Sequence, residues 1–335
     1  MELAGTHLTL ATVWFLLWGV LWAVYFALDG FDLGIGTLLP FLGKTETEKR
    51  VMLNSMGPFW DGNEVWLIAA GGVTFAAFPF TYAVMFSWLY TPLLLLLFGL
   101  IIRGVSMEFR SKGETDGWRK LWSAGVFVGS ALPALLIGVA FANIFRGLPF
   151  NAEYVNAGGI LDLLNPYGLA GGVLFVLLFL LHGSLWLSIK ATGDLKERAQ
   201  KLTEPLWTIV LAAVVLFLLY SWFATKLFDN YLQMPILFVL LLLPVVLLLL
   251  TRLFIAGKKW WLAWGSFGLT LITTTMFTVV GLFPALIPGR MAGEGTGPQF
   301  SLTIHNSASS ALTLKIMLVV ALIFVPIVIL YQAWA

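Results

Sequence analysis

Two pairs of carboxylates sit where carboxylates are costly. Asp29 and Asp32 lie in ALDGFDLGIG, preceded by VYFAL and followed by LGIGTLLPFLG. Asp61 and Glu64 lie in FWDGNEVWL, ahead of the uncharged run AAGGVTFAAFPF. Both pairs have i, i+3 spacing, which puts the two groups on one face of a helix. An ionised carboxylate in hydrocarbon is expensive, so such groups line a polar interior, pair, or hold a proton. Clustered, partly desolvated carboxyls are suited to proton relay near neutral pH. Proton transfer is the chemistry these pairs suggest.

Few other residues could do chemistry. His182, in LFLLHGSLWL, is the one histidine in mid-span, and a lone buried histidine is more often hydrogen-bonded to a neighbouring helix than ligated to a metal. His7 and His305 fall near span ends and have no partner histidines. With three scattered histidines and no cysteine, haem, copper and thiolate metal sites find a poor scaffold, and disulfides are excluded. Glu108, in MEFRSK, reads as an interfacial acid near Arg110 or as a point of proton entry. Trp60 could contact a quinone ring, although most of the 15 tryptophans read as lipid belt and core.

The elements holding these residues must be membrane helices. The 335 residues are 60% hydrophobic and 11% charged, against about 25% charged in ordinary soluble domains. Apolar runs of roughly 20 residues predict helical spans rather than barrel strands. Nine are expected, at about 8–42, 51–80, 82–103, 121–145, 167–189, 204–226, 233–252, 260–286 and 312–334. The N-terminus lacks a basic region and small-residue cleavage site, so the first span is expected to stay. The whole chain, 1–335, reads as a single polytopic domain, with the Gly- and Ser-rich connection 287–311 as its loosest loop. No basic cluster suggests nucleic acid; the surroundings are membrane lipid.

Orientation follows from the basic residues. Fifteen of the 19 lysines and arginines fall in the odd-numbered connections, with Arg103, at the end of the third span, counted among them. Three fall in the even-numbered ones, and Lys315 lies inside the last span. The odd connections therefore face the cytoplasm, with the N-terminus outside and the C-terminus inside. Asp32 and Asp29 lie 12 and 15 residues before Lys44; Asp61 and Glu64 lie 11 and 14 after Arg50. At about 1.5 Å per helical residue, all four sit roughly 16–23 Å from the first cytoplasmic turn. Two antiparallel helices would bring both pairs to one level. A second reading stays open: GPFWDGN is rich in turn signals, so Asp61 could instead be an interfacial N-cap flanked by belt tryptophans.

The chain resembles subunit II of cytochrome bd-type quinol oxidases. The likeness rests on DGFDLGIG (29–36), NSMGPFWDGNEVWL (54–67), GVAFANIFRGLPFN (138–151), LLNPYGLAGG (163–172), SLTIHNSASSALTL (301–314) and VPIVILYQAW (325–334). The resemblance implies an all-α integral membrane protein of the bacterial cytoplasmic membrane. Its nine transmembrane helices would form mostly two four-helix bundles plus one extra helix. It implies a heterodimer with a haem-binding subunit I, in some relatives joined by a small single-helix subunit. That partner would hold haem b and haem d (or a further haem b), with quinol as electron donor, and reduce oxygen to water with cytoplasmic protons. Subunit II would bind no haem, and in some relatives it holds a structural quinone. The family's proton-pathway aspartate falls on Asp61 and the neighbouring acidic motif on Asp32, with Asp29 and Glu64 nearby. From the residues alone, a proton-coupled secondary transporter and a purely structural scaffold are the alternatives, although no inverted repeat with broken segments is visible.

Overall fold

Inside lipid a backbone N–H or C=O has no water to bond, so the apolar runs must fold as helices. The computed structural model describes residues 2–154, 160–292 and 295–334. Its helices are α1 (Glu2–Leu42), α2 (Glu46–Met56), α3 (Trp60–Ala77), α4 (Pro79–Trp88), α5 (Tyr90–Phe109), α6 (Asp116–Arg146) and α7 (Pro166–Lys190). They continue with α8 (Gly193–Ala224), α9 (Asp229–Gln233), α10 (Val239–Ala256), α11 (Trp260–Leu282), α12 (Ile304–Ser307) and α13 (Ala311–Trp334). Among the described residues, eight helical stretches are long and apolar enough to cross a membrane. They lie in α1, α5, α6, α7, α8, Pro235–Ala256, α11 and α13.

The expected second span, 51–80, is not one helix. A turn at 57–59 separates α2 from α3, because Pro58 has no N–H to donate and Gly57 favours a bend. The third expected span begins earlier and runs further, as α4 and α5 bent at Leu89. Pro92 causes the bend, since it cannot donate to the Trp88 carbonyl four residues back. The eighth helix starts eleven residues before its expected position at 204. Its polar first turns are helical in their own right and carry an i, i+4 pair, Glu197–Lys201 at 3.6 Å.

The connection expected to be loosest is held at both ends. β1 (Ala285–Ile287) pairs antiparallel with β2 (Leu302–Thr303). The Leu148 N–H donates to the Pro288 carbonyl at 2.8 Å, and the Arg290 N–H donates to the Leu148 carbonyl at 2.8 Å. Its composition is that of a loop, yet Leu286, Ile287, Leu302 and Ile304 are buried and tie it to the helices.

α1 is the central helix, packed on α3, α6, α7 and α11. It meets α7 backbone to backbone at Gly34 and Gly183. A Cβ at Gly34 would lie 1.9 Å from the Phe179 carbonyl oxygen, so only glycine permits this crossing. Asn165 caps α7 by accepting from the Gly168 N–H at 3.0 Å, with Pro166 in the first turn. Aromatic rings along α1 (Trp14, Phe15, Trp18, Trp22, Tyr25 and Phe26) fill the interior on the N-terminal side of Asp29.

Candidate functional site

Asp29 and Asp32 project from the middle of α1 into the protein and are fully buried. Two elements meet them there. The first turns of α3 present Asn63 and Glu64, and α5 presents Arg103, also fully buried. Arg103 Nη2 donates to Asp29 Oδ1 at 2.6 Å and to Glu64 Oε1 at 2.5 Å, so one guanidinium bridges two helices from a third. Asp32 Oδ2 accepts from Asn63 Nδ2 at 2.7 Å, and the same amide reaches the Leu28 carbonyl at 3.3 Å.

Three carboxyl groups thus gather at one guanidinium, which bonds two of them. A charge that exceeds its counter-ion in a membrane interior is the one free to take up and release a proton. Within the cluster, Asp32 Oδ1 and Arg103 Nε and Nη1 are buried with no protein hydrogen-bond partner. This is the donor and acceptor set of a polar interior rather than of a closed ion pair.

Glu64 alone of the three carboxylates opens outward. It lines a groove of about 450 Å³ between α3 and α5, together with Trp60, Gly104 and Glu108. The Trp60 ring lies against Gly104, where a Cβ would come within 2.9 Å of it. Glu108 is exposed one helical turn beyond Gly104. Arg110, which the sequence places beside it, turns instead to Glu46 at 2.6 Å and Ser123 at 2.8 Å.

Asp61 does not join the cluster. It is exposed in the first turn of α3, with Oδ1 accepting the neighbouring Gly62 N–H at 2.7 Å. Nor is it the N-cap, a place held by Phe59 without a side-chain bond. Equal depth for Asp61 requires an unbroken helix from Arg50, and the turn at 57–59 interrupts it. Beside Asp61, the Gly62 carbonyl accepts from Gln332 of α13 at 3.1 Å, and Trp66 Nε1 donates to Gln332 Oε1 at 3.1 Å.

Sequence reasoning missed Arg103. Counted as a basic residue at a span end, it lies six residues before the end of α5. The signal available was chemical: buried acids in lipid require a counter-ion, and LFGLIIRGV supplies an arginine inside a long apolar run.

His182 is walled in. Its Nε2 donates to the Ala27 carbonyl at 2.9 Å, and its ring stacks on Trp264 at 5.6 Å and 4°. Phe31 and Phe267 close two further sides. His7 Nε2 donates to the Ser309 carbonyl at 2.9 Å. Among the described residues, no three His, Cys, Asp or Glu side chains are grouped to hold a metal ion.

At the end of the bundle where α1 gives way to α2, carboxylates are paired with arginines. Glu48 is held below its ordinary value by the Arg198 hydrogen bond at 2.5 Å, helped by the Thr45 and Lys44 N–H groups. Partial burial pushes Glu46 up, but the hydrogen bond and charge of Arg110, with Lys49 and Arg119, bring it below the ordinary value.

A polytopic helical membrane subunit with an internal carboxylate–guanidinium cluster is the class of protein this fold and site define. Its architecture matches a solved bd oxidase from Geobacillus thermodenitrificans with a TM-score of 0.77 over 97% of this chain and 98% of that one, at 16% identity. The chain is 37% identical to the cytochrome bd ubiquinol oxidase subunit 2 of Bacillus subtilis, over 98% of this chain and 95% of the relative. It is 38% identical to the cytochrome bd-I ubiquinol oxidase subunit 2 of Escherichia coli K12, over 96% and 92% of the two lengths. Residues 10–335 match the family of cytochrome bd terminal oxidase subunit II, and the chain belongs to it. It is subunit II of a cytochrome bd-type quinol:oxygen oxidoreductase and supports subunit I, which sets aside the transporter alternative.

Proposed function

We propose that this subunit delivers cytoplasmic protons towards its partner through the groove and the Asp29–Arg103–Glu64 cluster. The observation that carries the reading is Arg103 bridging a carboxylate on the groove to one that is fully buried. Glu108 stands at the outer part of the groove and serves as the point of entry. Glu64 receives the proton, and Arg103 keeps Asp29 ionised beside it while Glu64 is neutral. Asp32, held by Asn63, is the next acceptor inward, and the Tyr25 hydroxyl stands beside Asp29. Asp61, exposed at the foot of the same helix, hands protons across to subunit I rather than inward.

The haems, haem b and haem d, belong to the partner. His182 does not fit haem, because its ring is enclosed by aromatic side chains and one nitrogen is committed to a carbonyl. Haem in that partner supplies electrons from quinol to oxygen, and protons drawn from inside make the reaction electrogenic. Glu64 and Glu108 would be costly against lipid, so subunit I is placed over the α3–α5 face and α13. α13 suits the role of the extra helix, since only 6% of its spanning window is buried within the chain. Counting α3 as a crossing gives nine spans in two four-helix bundles plus α13, with the N-terminus outside and the C-terminus cytoplasmic. A structural quinone would use the groove face of Trp60, and a small single-helix subunit would pack at the edge.

Turnover per haem tests the route. Glu64→Gln and Asp61→Asn keep shape and remove the titrating group. Each is expected to slow quinol-driven oxygen consumption about 10-fold or more, equivalent to about 1.4 kcal/mol in the limiting barrier, at nearly unchanged haem content. A normal rate for Asp61→Asn over roughly pH 6–8 removes Asp61 from the path. A normal rate for Glu64→Gln removes the cluster.

A further inference from the structure

The end of the bundle that carries the basic connections holds a second groove, unrelated to the acidic cluster. It has a volume of about 330 Å³ and lies where the end of α7, the start of α8 and the α10–α11 turn come together. Lys196, Lys258 and Lys259 line it, with Trp260 and Trp261, and no carboxylate does. Lys190 stands beside it, its ammonium 4.9 Å from the Trp186 ring centroid and 5.6 Å from that of Trp261.

Several cations at this end are paired within the chain: Arg110 with Glu46, Arg198 with Glu48, Lys201 with Glu197 and Arg252 with Glu204. Among the described residues the three groove lysines make no such pair. The backbone supplies an independent observation. Two residues past α10, Lys258 has φ 54°, a left-handed conformation that favours glycine, while Gly257 just before it has φ −78°. The Lys259 N–H closes the cap on the Phe254 carbonyl at 2.9 Å. The strained position thus holds a lysine that faces the groove, and strain of this kind marks functional positions. Below the groove, Leu262 and Leu269 are exposed seven residues apart on α11, an apolar track running into the membrane.

We infer that this groove binds the phosphate headgroup of an anionic phospholipid of the cytoplasmic leaflet, with its acyl chains laid along α11. Lysines without counter-ions supply the charge, tryptophans sit at headgroup depth, and the leucines meet the chains. A soluble phosphate would share the charge chemistry but would leave the apolar track unused.

The test uses the purified complex in nanodiscs of phosphatidylcholine with and without cardiolipin, with tightly bound lipid counted by native mass spectrometry. Wild type is expected to retain at least one anionic lipid that the Lys196→Gln/Lys258→Gln/Lys259→Gln variant binds about 10-fold or more weakly. The corresponding triple arginine variant should keep it. Equal retention in the glutamine variant overturns the proposal. So does displacement of the lipid by about 10 mM inorganic phosphate, which would make the groove a general anion site. Loss of subunit I from the glutamine variant also overturns it, because the groove would then be a partner contact.

Discussion

Arg103 bonds no carboxylate of its own helix; its charge is met by Asp29 on α1 and Glu64 on α3. Removing one member of a buried ion pair leaves the other unpaired, at a cost of about 3–5 kcal/mol. Arg103→Met is therefore expected to abolish assembly, whereas Asp29→Asn/Arg103→Met should recover part of it, because the stranded charge is gone. The yield of haem-containing complex in the membrane measures both. Wild-type yield for Arg103→Met alone would show that the bridge is not structural. Asp29, Asp32 and Glu64 were legible as a group from their spacing and apolar surroundings. That Asp61 stands apart was not, because one turn at 57–59 re-aims everything that follows it.

Two elements position this cluster. The first is the α1–α7 crossing at Gly34 and Gly183, where added side-chain atoms would strike backbone. Gly34→Val should push the helices apart and lower the thermal midpoint of the complex by several degrees or prevent assembly. Gly5→Val on the same helix, where nothing lies within 4 Å, should have little effect. Similar losses at both sites would refute the crossing argument. The second element is α2, held by Glu46–Arg110 and Glu48–Arg198. Both carboxyls sit below their ordinary values, so the folded form binds fewer protons than the unfolded one. Their stabilisation is present above the ordinary carboxylate value of about 4.3 and fades as pH falls through the lower folded values. Hydrogen exchange in 46–56, corrected for intrinsic rate, should rise on acidification below about pH 4 and lose part of that dependence in Glu48→Gln. Flat exchange in the wild type would show that the pairs do not hold α2. The second half of α2 was merged into the expected span 51–80, since hydropathy does not register a turn set by Gly57 and Pro58.

On the scale of the molecule, the basic connections predict an N-terminus outside and a C-terminus inside. Reporter fusions in 104–120 should report the cytoplasm, and those in 287–311 the outside. An external 104–120 would turn the proton route and the lipid groove to the wrong side together. Most of this topology is set by composition. Runs such as LFVLLLLPVVLLLL must lie in lipid, and nothing but a helix pairs their backbone there. Sequence by itself therefore determined that the chain is a helical membrane protein, roughly where most spans lie, and that its acids sit in an apolar setting. Tertiary structure alone decided which charges meet. Arg103, Asp29 and Glu64 are separated by 74 and 39 residues, and their encounter depends on the α1–α7 crossing, the break before α3 and the bend at Pro92. Each of these is a local backbone event that shifts side chains by several ångströms. Hydropathy averages over such shifts, but a hydrogen bond of 2.6 Å does not tolerate them.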